Sequence, residues 1–106
     1  GDDALLLPMM SVGAKGVVSV TANFMAKDVA DLVAYFEKGN LEEARKLHNK
    51  LYRLSQNMFI ETNPVPAKAA MAMLGKIEEN VRLPLVQLSE SSREVLKKLM
   101  KEVEII

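Results

Sequence analysis

The sequence contains no cysteine, which excludes both a disulfide framework and a thiolate metal site. That absence agrees with a reducing, cytoplasmic setting. Nor is there an excess of charge of either sign, because Lys+Arg and Asp+Glu each number 14 and the formal net charge is zero. A nucleic-acid partner calls for a basic excess that replaces counterions on phosphate, and an anionic membrane surface calls for a polybasic segment. Neither partner is expected. Long apolar runs are also missing: the longest, Ala4–Met10, is interrupted by Pro8 and is too short to span a bilayer. No basic residues precede it, so it does not read as a signal peptide. There is no initiator methionine. The Gly1-Asp2-Asp3 opening reads as a loop, and the expectation is a segment of a longer protein. No P-loop, dinucleotide-binding glycine pattern or Ser/His/Asp set is found.

What is present is the composition of a soluble globular domain, 106 residues long, 49% hydrophobic and 26% charged. Asp2 or Asp3 is placed to cap a helix over Ala4–Val12 that is apolar nearly all round, with Gly13 as its stop. Pro8 requires that this helix start late or bend. Gly16-Val17-Val18-Ser19-Val20-Thr21 is short, β-branched and bounded by glycine, which predicts a buried strand of a parallel sheet. A parallel strand needs a partner reached by a crossover, and no second strand is legible in the chain. From Lys27 onward the pattern is helical. Val29, Leu32, Val33 and Phe36 share a face, Gly39 ends that helix, and Asn40 caps the next with Glu43 in a capping-box position. Leu41, Ala44, Leu47, Leu51, Leu54 and Met58 form its apolar stripe. Glu61-Thr62-Asn63-Pro64-Val65-Pro66 breaks the helix, and Pro66 opens the next, with Ala67, Ala70, Met71 and Leu74 on its apolar side and Gly75 near its end. Leu83-Pro84-Leu85 reads as an extended connector. Ser89 caps a last helix with Val95, Leu96, Leu99, Met100 and Val103 facing inward. The chain thus divides into residues 1–39, the end of an α/β architecture, and residues 40–106, a helical domain.

Candidate chemistry is sparse. His48 is the only histidine and has no Cys, Asp or Glu at metal-ligand spacing, so it reads as a boundary residue on a packed helix. Adjacent Asp2 and Asp3 do not aim both carboxylates at one point, and capping accounts for at least one of them. The seven methionines fall mostly in apolar stripes, where they fill core space. An imine-forming enzyme needs a lysine made nucleophilic, usually by desolvation. Most lysines here sit on polar helix faces; Lys68, in an alanine-rich setting, is the exception and reads as structural. No metal site is expected.

The order of short motifs resembles the dihydrodipicolinate synthase family. The residues that carry the likeness are Gly1-Asp2-Asp3, Gly13-Ala14-Lys15-Gly16-Val17-Val18-Ser19-Val20-Thr21-Ala22-Asn23, Glu61 to Lys68, and Arg82-Leu83-Pro84-Leu85, followed by the Ser-led helix. The resemblance implies the last strand and flanking helices of a (β/α)8 barrel followed by a C-terminal helical domain, in an enzyme usually assembled as a homotetramer. It implies condensation of pyruvate with L-aspartate 4-semialdehyde through a lysine Schiff base, with no metal or organic cofactor. The imine-forming lysine and the proton-relay tyrosine are expected upstream of this chain. Two substrate-binding positions map onto it: Val18, bordering the keto acid on the last strand, and Gly1, close to the second substrate. A sibling pyruvate lyase acting on N-acetylneuraminate or a keto-deoxy sugar, and a non-catalytic helical oligomerisation module, are the alternatives.

Overall fold

The computed structural model describes residues 1–106 as an all-helical body with no strand. A 3-10 turn over Asp3–Leu5 leads into α1 (Leu6–Ser11); α2 (Ala22–Glu37), α3 (Leu41–Asn57), α4 (Val65–Met73) and α5 (Glu90–Glu102) follow.

Asp2 caps the opening turn, its carboxylate accepting from the Ala4 N–H at 3.0 Å. Pro8 lies in the first turn of α1, where the missing donor has no intrahelical acceptor to lose. The helix starts late rather than bending. α2 carries one non-helical residue, Met25 (φ −131°, ψ 45°), so its regular part begins near the Lys27 expected from the sequence. It ends in a left-handed residue, Gly39 at φ +78°. Asn40 N–H then reaches Tyr35 O at 2.8 Å and Gly39 N–H reaches Phe36 O at 3.0 Å, which satisfies two orphan carbonyls. Asn40 caps α3 by accepting from Glu43 N–H at 3.3 Å. The reciprocal half of a capping box is absent, because the Asn40 N–H is already committed to Tyr35 and the Glu43 carboxylate pairs with Lys46 at 2.9 Å. Ser89 caps α5, as the sequence indicated.

One cluster of buried side chains unites all five helices, with Leu54, Met58, Leu96 and Met100 at its most enclosed points. It draws on residues from both 1–39 and 40–106. α2 packs along α3, while α4 lies between α2 and α5. That sandwiched place buries Val65, Pro66, Ala67, Ala69 and Ala70, so more of the start of α4 is enclosed than one apolar face. Met71 and Leu74, expected inward, are half-buried. Val95 is another departure: the buried stripe of α5 runs through Ser92, Leu96, Leu99 and Met100, and Val95 lies at its edge, 39% exposed. Leu83 and Pro84 form a turn closed by Leu85 N–H to Arg82 O at 3.0 Å, not an extended connector.

The largest correction concerns Gly16–Thr21. The predicted buried strand is not a strand here, and Val18 is 86% exposed. No backbone group from Gly16 to Ser19 pairs with another backbone group. A strand exists only through a ladder with a neighbour, and this chain supplies none. The β-branched composition records a preference for a pleated, packed surface, which these 106 residues alone do not provide.

Candidate substrate-facing segment

The two positions singled out from the sequence, Gly1 and Val18, lie together. A methyl group added at Gly1 would meet Val17 Cγ2 at 2.9 Å and lie 3.9 Å from the Val18 carbonyl oxygen. Gly1 is thus in close approach to the Val17 side chain, which would have to shift to admit a Cβ. Val18 itself is largely exposed, and its carbonyl accepts no backbone hydrogen bond.

Asp3 holds the far end of this segment. Its Oδ2 accepts from the Val20 N–H at 2.9 Å and the Thr21 N–H at 3.2 Å, and its Oδ1 accepts from the Ser19 hydroxyl. Ser19 Oγ in turn accepts from Ala22 N–H at 2.8 Å, capping α2 in place of Thr21. The carboxylate thus lies at the amino end of α2, where unpaired N–H groups and the helix dipole favour a negative charge. Thr21 is fully buried, and its hydroxyl meets Ser55 Oγ on α3 at 2.9 Å, so the segment is anchored to the helical domain as well. Of the acidic pair, Asp2 caps and Asp3 cross-links; sequence reasoning saw only the first role. The missed signal was Ser19 and Thr21, small hydroxyl residues within a run otherwise suited to a strand.

Beside the segment is an open cleft of about 430 Å³ whose lining includes Ser19, Val20, Asn23, Asn63, Lys68 and Ile77. It presents hydroxyl, carboxamide and ammonium groups. Asn23 is turned onto Val20 O at 2.9 Å, and Lys68 Nζ donates to Asn80 O at 2.5 Å. His48 is half-buried, its ring 5.5 Å from that of Tyr52, and it joins no ligand set. No cluster of His, Cys, Asp and Glu suited to a metal ion occurs.

Two polar ties fix the loops on either side of α4 to the start of α5. The Glu61 carboxylate accepts from Ser89 Oγ at 2.6 Å and Ser89 N–H at 3.1 Å. The Ser89 hydroxyl, assisted by Ser92 and the Ser89 N–H, holds the Glu61 carboxyl below its ordinary range. Arg93 pairs with Glu79 at 2.8 Å, and that carboxylate raises the guanidinium further above its usual value. The seven methionines divide as packing requires: Met10, Met25, Met58 and Met100 are in the core, while Met9 is 51% exposed.

These helices, with the extended segment crossing the end of α2, have the architecture of a class of synthases already solved from several organisms. The 4-hydroxy-tetrahydrodipicolinate synthase from Methylacidiphilum fumariolicum SolV matches 98% of this chain, with TM-score 0.95 at 47% identity over 35% of that protein. The dihydrodipicolinate synthase from Acinetobacter baumannii, complexed with pyruvate, matches all of it with TM-score 0.94 at 38% identity over 36% of its length. Among curated sequences, a 4-hydroxy-tetrahydrodipicolinate synthase from Geobacter sp. (strain M21) is 54% identical across the whole chain. The chain belongs to the Dihydrodipicolinate synthetase family, whose model matches residues 1–103. It spans about 37% of the length of the curated relatives it matches.

Proposed function

We propose that this chain is the C-terminal part of a (β/α)8-barrel lyase that condenses pyruvate with L-aspartate 4-semialdehyde through a lysine Schiff base, on the route to diaminopimelate and lysine. Residues 1–39 form the last units of the barrel and residues 40–106 the helical domain that follows. The complete enzyme is a cytoplasmic homotetramer. The observation that carries this reading is that the likeness to synthases of that name runs along the whole chain, motifs and folded backbone alike. The unpaired backbone of Gly16–Ser19 and the bare Val18 side chain support it, because both fit a last barrel strand whose neighbours lie outside these residues.

Substrates of such barrels bind at the C-terminal ends of the strands. Val18 there borders the keto acid, and Gly1 leaves room beside it for the second substrate. The carbonyl and side chain of Val18 contribute shape and a hydrogen-bond acceptor; proton transfer falls to residues elsewhere. In the complete enzyme, borohydride in the presence of pyruvate should trap an adduct on a lysine outside these 106 residues. No adduct, or condensation only with another aldehyde, would overturn the assignment. Val18→Asp should weaken pyruvate binding more than it weakens folding, because it sets an unpaired carboxylate beside an anionic substrate. Unchanged pyruvate affinity in a folded variant removes Val18 from the site.

A further inference from the structure

We infer that Asp3 is a positioning residue for the keto-acid wall: its carboxylate fixes the Ser19–Thr21 turn and thereby sets where Val18 stands against Gly1. The inference rests on the proposed function of this segment. Three donors converge on Asp3, the Ser19 hydroxyl and the Val20 and Thr21 N–H groups. Bonds to an ionised acceptor are about twice as strong as neutral ones, and Asp3 is partly shielded from water. Between Gly16 and Ser19 the backbone makes no bond of its own within the chain; Thr21, bonded to Ser55, anchors the far side of the turn, and Asp3 is what ties Ser19 and Val20 to the opening residues. At the other end, Val17 is seated against Gly1. Gly1 and Asp3 are two residues apart, so one short stretch touches the segment on both sides of Val18.

An asparagine makes only a weaker latch, because its carboxamide is neutral. Its single oxygen can face either Ser19 or the two N–H groups. With the oxygen on the two N–H groups, the NH2 meets the Ser19 oxygen, which can take it on its second lone pair only by turning its own proton away, and every bond loses the charge on its acceptor. Asp3→Asn should therefore loosen the wall while leaving every side chain that borders the substrate in place.

The test uses the complete enzyme. Asp3→Asn should raise the KM for pyruvate about tenfold with kcat changed less than about threefold, the pattern of lost uniform binding. Ser19→Ala should shift KM in the same direction, and Ser19→Thr, which keeps the hydroxyl, should restore it. Gly39→Ala, remote from the segment, serves as the control for a general loss of stability. Amide hydrogen exchange needs no substrate: the Val20 and Thr21 amides should lose protection in Asp3→Asn and keep it in Gly39→Ala. An unaltered pyruvate KM, a shift no larger than that of the control, or protection that survives Asp3→Asn overturns the inference. Should Asp3→Asn fail to fold, Ser19→Ala decides, since it leaves the two backbone bonds in place; a pyruvate KM equal to that of the parent overturns it. Failure of the unsubstituted enzyme to bind pyruvate overturns the proposed function instead. The exchange measurement then still decides whether Asp3 holds the segment.

Discussion

Leu51 and Leu41 belong to the same apolar stripe of α3, yet the first is 5% exposed and the second 37%. Leu41 is the first residue of the helix and stands at the edge of the packed layer, whereas Leu51 faces the cluster shared with α1 and α2. Leu51→Ala should cost about 2–5 kcal/mol, the range for emptying a core leucine site. Leu41→Ala should cost clearly less, and chemical denaturation of the two variants side by side checks the ordering. Equal losses would show that the stripe is covered along its full length. At Glu61 the effect is one of pH. Its carboxyl is held below the ordinary value by the Ser89 hydroxyl and further N–H and O–H donors, so the folded form binds the proton less readily than the unfolded chain. The resulting stabilisation is present above the unfolded-state pKa and is lost as pH falls through the lowered folded-state value. Glu61→Gln should flatten that acid-side dependence. An acid limb as steep as the parent's would mean that Glu61 does not contribute to it.

Among the helices, termini decide more than propensities. Four of them end in the same pair of backbone bonds around a left-handed residue, at Gly13, Gly39, Gly75 and Glu104. The first three are glycine, which is why the stops were legible in the sequence. Glu104, at φ 61°, is the only non-glycine residue with positive φ and gave no signal. Gly39→Ala should destabilise the protein by about 1–2 kcal/mol, the cost of placing a Cβ in the left-handed region. Glu104→Gly should move stability the other way, by a smaller amount because glycine also gains freedom in the unfolded chain. Thermal unfolding of both variants gives the signs, and two changes of the same sign would refute the account. The caps tell the same story: Asn40 and Ser89 were visible as N-caps, because a side chain at one position satisfies an N–H three residues on. Asp3 bonding across to Val20 and Thr21 was not, because a contact 17 or 18 residues away leaves no local pattern.

At the scale of the molecule, the helices were legible because they satisfy their own backbone and advertise their buried face by period. The Gly16–Thr21 run was misread as a formed, buried strand, since strand identity belongs to a sheet and not to one segment. The chain measures 43 × 26 × 21 Å, and Val12, Val18, Leu83 and Val86 all stand largely uncovered on its surface. That surface bears on catalysis. Forming an imine requires an uncharged amine, which a lysine gains chiefly by desolvation in an enclosed site. No lysine of this chain is buried. Lys27, Lys46 and Lys50 are paired with Asp31, Glu43 and Asp28, and Lys68 is bound to the Asn80 carbonyl. Neither tyrosine makes a proton relay: Tyr52 OH accepts only from Gln56 Nε2 at 3.0 Å, and Tyr35 lies half-buried on α2. The proposed function makes Val18 and Gly1 one wall of a pocket that residues outside these 106 complete. The 106-residue chain incubated with pyruvate and borohydride should therefore show no specific lysine adduct by mass spectrometry, under conditions where the complete enzyme traps one. Stoichiometric trapping at a single lysine within the chain, with Lys68 beside the cleft the first to check, would place the nucleophile here and overturn the assignment of that chemistry to residues outside it.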